Sequence, residues 1–95
     1  MSERNPGAPE EIPIILKTYD LIVWSVNHTA RFPRVHRFSL GERIESTLYD
    51  LLDVLIEAKY ARAKVELLER ANVFLERLRF QLRLAKDLRA LPVRS

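Results

Sequence analysis

The chain contains no cysteine, which excludes disulfides, thiolate metal centres and cysteine nucleophiles and fits a reducing cytoplasm. Its two glycines, Gly7 and Gly41, are too few for a glycine-rich phosphate loop or a nucleophile elbow. The two histidines, His28 and His36, stand on either side of a helix end with no third ligand at a familiar metal spacing, so neither metal nor cofactor is expected. Long apolar runs are missing as well. The most apolar segment, "IPIILKTYDLIVW" at residues 12–24, is interrupted by Lys17 and Asp20 and falls short of the roughly 20 residues that a membrane span needs. The N-terminus "MSERNPGAPEE" is polar, without the basic-then-apolar order of a signal peptide, and reads as a disordered tail over residues 1–11. These absences leave a soluble, cytoplasmic, non-catalytic protein as the expectation.

What is present is charge, unevenly spread. The 95 residues carry a formal net charge of +3, and 12 of the 16 basic side chains are arginine, the fork-shaped donor suited to phosphate and carboxylate. Residues 1–57 sum to −3 and residues 58–95 to +6, so the basic character lies in the C-terminal third. Nucleic acid or an acidic protein surface heads the list of partners.

Apolar spacing sets the architecture. Ile15, Tyr19, Ile22 and Val26 recur at four, three and four, which predicts a helix from Pro13 to Ala30, with Pro13 suited to a first turn. In "RFPRVHRFSLGER", residues 31–43, Ser39 and Glu42 have the spacing of a capping box, which predicts a second helix from Leu40. Its buried stripe is Ile44, Leu48, Leu51, Leu55 and Ala58, and Glu42, Ser46, Asp50, Asp53 and Glu57 line the acidic outer side. Phe32 and Phe38 read as apolar pegs that fasten the turn, with Pro33 holding Phe32 extended. Continuing the second stripe by heptads lands on Arg62, Glu69 and Glu76, which cannot be core, so the chain turns between Tyr60 and Lys64 although no glycine or proline marks the place.

A third helix, Arg62 to Leu91, then carries the stripe Leu67, Ala71, Phe74, Leu78, Ala85 and Leu88. At about 45 Å it would overhang the other two. A second apolar line, Val73, Phe80, Leu84 and Leu91, lies well away from the first on the helical wheel, and a helix apolar on two sides is normally covered on two sides. The fold class is therefore all-α, an antiparallel helical bundle over residues 12–92 with a short tail at 93–95. A chain this short buries only about 60 to 65% of its unfolded surface, which adds to the case for self-association. Val73, Phe80, Leu84, Leu91 and Trp24 are the candidate oligomer interface; Trp24 alternatively folds over the third helix of its own chain.

Arg79, Arg83 and Lys86 share a face of the third helix at i, i+4 and i+7, while Arg70 and Arg77 share another. Such rows can track a phosphate backbone in a salt-dependent, sequence-tolerant manner. They can equally be solubilising, or pair with the acidic second helix. Arg31, Arg34 and Arg37 sit between the C-terminus of one helix and the N-terminus of the next, so either helix dipole accounts for them as readily as an anionic ligand does.

The segments "FPRVHRFSLGERI", "LYDLLDVLIEAKY" and "LLERANVFLERLRFQLRLAKDLRAL" together resemble the accessory variability determinant (Avd) family of diversity-generating retroelements. More distant relatives are the four-helix proteins of ribosomal RNA intervening sequences, which share the "FP...RF.L" turn. The sequence lacks their "SIPSNIAEG"-like segment, which favours the Avd branch, and the intervening-sequence reading stands as the alternative, beside a structural oligomer that binds an acidic protein. The resemblance implies a four-helix bundle, with no counterpart of the last helix read here. It further implies a barrel-like homopentamer that is not an enzyme. Its implied partners are reverse transcriptase and nucleic acid, RNA and possibly DNA, through basic surfaces, in support of mutagenic copying of template RNA into cDNA.

Overall fold

Three long helices account for most of the chain: α1 (Ala8–Thr29), α3 (Glu42–Tyr60) and α4 (Val65–Asp87), with a single turn, α2 (Arg34–His36), between the first two. The computed structural model describes residues 8–91, so most of the expected N-terminal tail, residues 1–7, and the last four residues lie outside it. No strand occurs among the described residues. The molecule is long and flat, 48 × 25 × 20 Å, and its radius of gyration of 15.2 Å exceeds the about 12.4 Å of a compact domain this long. The cause is the arrangement: α3 lies in the middle and both α1 and α4 pack chiefly on it.

The buried stripe of α3 is the one its periodicity predicts. Ile44, Leu48, Leu51, Leu55 and Ala58 are buried, joined by Thr47 and Val54, and the acidic residues face outward. Ile44 and Leu48 anchor one core cluster with Ile22, Phe32, Leu40, Leu78 and Ala85, while Leu51, Val54 and Leu55 form another with Ala71.

On α1 the expected stripe is only half right. Ile22 is buried, but Tyr19 and Val26 are exposed, and the inner face is instead Thr18, Ile22, Ser25 and Thr29. Small side chains let α1 approach α3, and two of their hydroxyls bond back within the helix: Thr18 Oγ1 donates to the Ile14 carbonyl at 2.8 Å and Thr29 Oγ1 to that of Val26 at 3.3 Å. Thr29 also donates to Glu45 Oε2 across the seam. The helix begins at Ala8, ahead of the expected start, so Pro13 lies inside it and forgoes one intrahelical bond.

The corner corrects two expectations. Ser39 caps nothing: Pro33 sits at the N-cap, the His36 and Arg37 N–H groups donate to its carbonyl at 2.8 and 3.0 Å, and a π-helical turn over Arg37–Gly41 runs directly into α3. Ser39 Oγ is turned back toward the Val35 and His36 carbonyls at 3.4 and 3.5 Å. Phe32 is a buried peg at 1% exposure, whereas Phe38 is 64% exposed under the Arg37 guanidinium. Gly41 lies within this helical turn, with φ −58° and ψ −46°.

Helix α3 ends where the phase of the stripe says it must. Ala61 turns extended, and the Lys64 ammonium reaches back to donate to the carbonyls of Ala58 at 2.6 Å and Ala61 at 3.0 Å, a side-chain cap that stands where glycine would. α4 starts at Val65 and stops at Asp87, inside the expected Arg62 to Leu91. At 23 residues it is about as long as the 22-residue α1, so the expected excess in length is not found. Its end is a Schellman turn: Arg89 takes φ 63°, the Ala90 N–H donates to the Ala85 carbonyl at 2.8 Å, and the Arg89 N–H donates to that of Lys86 at 3.0 Å. The turn folds Leu91 back against the core of its own chain.

Candidate nucleic-acid interface

Helix α4 packs through Ala71, Leu78 and Ala85. At 100° per residue this leaves Arg79, Arg83 and Lys86 exposed along one outward row. Arg79 donates from Nη2 to Glu76 Oε2 at 3.1 Å, and Arg83 Nε lies 3.9 Å from Asp87 Oδ2. The arginine side chains of these pairs are 74% and 72% exposed, so each pair holds its arginine with at most about 1 kcal/mol, and a phosphate competes readily for it. Arg70 and Arg77 are exposed on a different side of α4; Arg77 lies over the Phe74 ring, 5.6 Å from its centroid.

The expected pairing of these arginines with the acidic outer face of α3 is not made within the chain. Among the described residues, the resolved ion pairs of α4 are internal to it, and none joins Asp50, Asp53 or Glu57 to a basic residue.

The fold brings together what the sequence keeps apart. Arg31, Arg34 and Arg37 all lie exposed at the corner, where Arg37 Nη2 donates weakly to the Phe32 carbonyl at 3.5 Å. The same corner meets the C-terminal half of α4 across a cleft of about 390 Å³ lined by His36, Ser39, Leu40, Arg43, Gln81, Leu84 and Leu88. Thus the corner arginines and the Arg83 to Lys86 end of the row belong to one end of the molecule. Arg43 and Gln81 were not singled out by sequence reasoning. Arg43 falls inside the helix expected from Leu40, and only the packing of α3 against α4 reveals that it lines this cleft. Gln81 Oε1 is buried without a hydrogen-bond partner beside that cleft.

Of the expected interface residues, Val73, Phe80 and Leu84 are exposed on α4, and Leu91 is half-buried. Trp24 is 41% exposed and stacks on His28 at 3.8 Å, whose Nδ1–H donates to the Trp24 carbonyl at 2.7 Å. Among the described residues no cluster of metal-binding side chains occurs, and no helix is long and apolar enough to cross a membrane.

Compared with known proteins, residues 14–95 match the family model described as bAvd-like. No curated protein and no solved structure matches the chain.

Proposed function

The chain belongs to the bAvd-like family, and from that premise we propose that it is a non-catalytic accessory protein of a diversity-generating retroelement. In this reading it assembles as an antiparallel helical bundle with further copies of itself, a pentamer in the family it resembles, and works in the cytoplasm. Its basic end holds template RNA, or the cDNA copied from it, and the reverse transcriptase docks on the same assembly. The observation that supports the reading best is the exposed row Arg79, Arg83 and Lys86 on α4, together with Arg31, Arg34 and Arg37 exposed at the corner. Their charges are held only by weak surface pairs or by none, so phosphates replace carboxylates at little cost. Arginine forks grip phosphate in two places, and contacts to phosphate alone give affinity without sequence preference.

Reversal of Arg79, Arg83 and Lys86 to glutamate tests it. Filter retention of single-stranded RNA should be abolished with circular dichroism unchanged, and retention at the wild-type level rejects the row as the binding site.

A further inference from the structure

The cleft between the corner and α4 holds a polar group that the fold leaves unmet. Gln81 Oε1 is buried without a hydrogen-bond partner, a costly state for an amide inside a protein. The terminal torsion of a glutamine is soft, so the amide can turn into the cleft when a partner arrives there. The rest of the α4 wall is apolar and open, with Leu84 47% and Leu88 43% exposed, and Leu40 is the buried part of the opposite wall. At about 390 Å³ the space lies at the small end of ligand sites, with room for a ring rather than a helix.

The titratable groups in the lining are His36 and Arg43, and no ion pair among the described residues engages Arg43. On α4, Arg77 stands one turn before Gln81 on the same side, exposed, with its guanidinium 5.6 Å from the centroid of the Phe74 ring. The neighbouring carboxylates stand off. Glu42 lines separate hollows beside Phe38, Asp87 Oδ2 lies 3.9 Å from Arg83 Nε, and Asp50 is two turns beyond Arg43 along α3. The cleft thus joins a cationic rim, leucine walls and an unmet amide. A bare phosphate would use only the rim, and an apolar side chain of a protein would use only the walls.

We propose that this cleft takes one unstacked nucleobase of a bound single strand. The inference rests on the RNA binding proposed above and adds to it a contact that is not to phosphate. The faces of the base lie against Leu84 and Leu88, its hydrogen-bonding edge meets the Gln81 amide, and the flanking phosphates reach Arg43 and Arg77. A glutamine amide offers a donor beside an acceptor, which pairs with adenine through two bonds. Splayed-out bases of a single strand are the part of RNA that proteins read by such edges, whereas phosphate contacts carry no sequence information.

Fluorescence anisotropy with a single-stranded oligoadenylate and an abasic strand carrying the same number of phosphates tests this. The wild type should prefer the oligoadenylate by roughly fivefold or more, the lower end of what one bidentate base contact discriminates. Gln81→Leu removes the amide at similar size, and Ser39→Phe, at an exposed position, fills the cleft; each should bring the preference close to one. Because a base contact releases no counterions, Gln81→Leu should keep the wild-type salt slope, which exchange of Arg79, Arg83 and Lys86 for glutamate lowers. A wild type that binds the two strands equally refutes the base contact and leaves the phosphate reading standing. A preference that survives either variant overturns the cleft as its place and leaves the cleft to an apolar side chain of a protein partner. A wild type that binds neither strand refutes the RNA reading and this inference with it.

Discussion

Lys64→Met keeps the stem of Lys64 and removes the ammonium that caps the end of α3. The ammonium donates to two carbonyls at good distance, Ala58 at 2.6 Å and Ala61 at 3.0 Å, with Lys59 marginal at 3.4 Å. Hydrogen bonds to a charged group contribute roughly 1.5 to 3 kcal/mol each when sheltered. Lys64 is only half-buried, so water takes over part of the carbonyls' bonding in the variant, and ordering the long side chain costs up to about 2 kcal/mol of rotamer freedom in the native protein. The net loss is about 1 to 2 kcal/mol. For a domain of this size each kcal/mol shifts Tm by roughly 4 to 8 °C, so the variant should melt about 4 to 15 °C lower. The assay is thermal denaturation by circular dichroism at one fixed protomer concentration, because self-association makes Tm concentration-dependent. A melting point within about 1 °C of wild type would refute the argument that Lys64 terminates α3.

Two further substitutions probe the backbone. Gly41 is helical, and a Cβ added there would meet Phe32 Cδ2 and Thr29 Cβ at 3.5 Å, ordinary contact distance, so Gly41→Ala should stabilise by about 0.5 to 1 kcal/mol in urea denaturation; a loss of stability would show that the corner has no room. Arg89 holds a left-handed φ of 63° in the Schellman turn, so Arg89→Gly should gain about 0.5 to 1 kcal/mol, and a destabilised variant would contradict that account of how α4 ends.

The sequence was most legible where large apolar side chains carry the periodicity. The stripe of α3, from Ile44 to Ala58, is built from isoleucine and leucine, and its break in phase located the turn before α4 with no glycine or proline to help. It was least legible on α1, where the inner face is threonine, serine and one isoleucine. There, close approach to α3 outweighs hydrophobicity, and the larger Tyr19, Val23 and Val26 are left outside. The corner misled because Ser39 and Glu42 have capping-box spacing, yet Pro33 begins the helical turn a full six residues earlier and Ser39 bonds backward. The end of α4 misled because arginine, not glycine, occupies the left-handed position. As for the site, the Arg79, Arg83 and Lys86 row followed from spacing along one helix. The cleft between the corner and α4, with Arg43 and Gln81 in its lining, did not, since that depends on how α4 lies against α3.

The central claim is that α4 and the corner hold a nucleic-acid backbone by charge. Its most direct measurement is the salt dependence of single-stranded RNA binding, followed by fluorescence anisotropy between about 50 and 200 mM salt. Each phosphate neutralised on a single strand contributes about −0.7 to the slope of log affinity against log salt, so engagement of Arg79, Arg83 and Lys86 alone predicts a slope of about −2, steeper if the corner arginines take part. Exchange of those three residues for glutamate should remove at least that much. A wild-type protein that binds no RNA at the lowest salt, or a slope that the exchange leaves unchanged, would contradict the account.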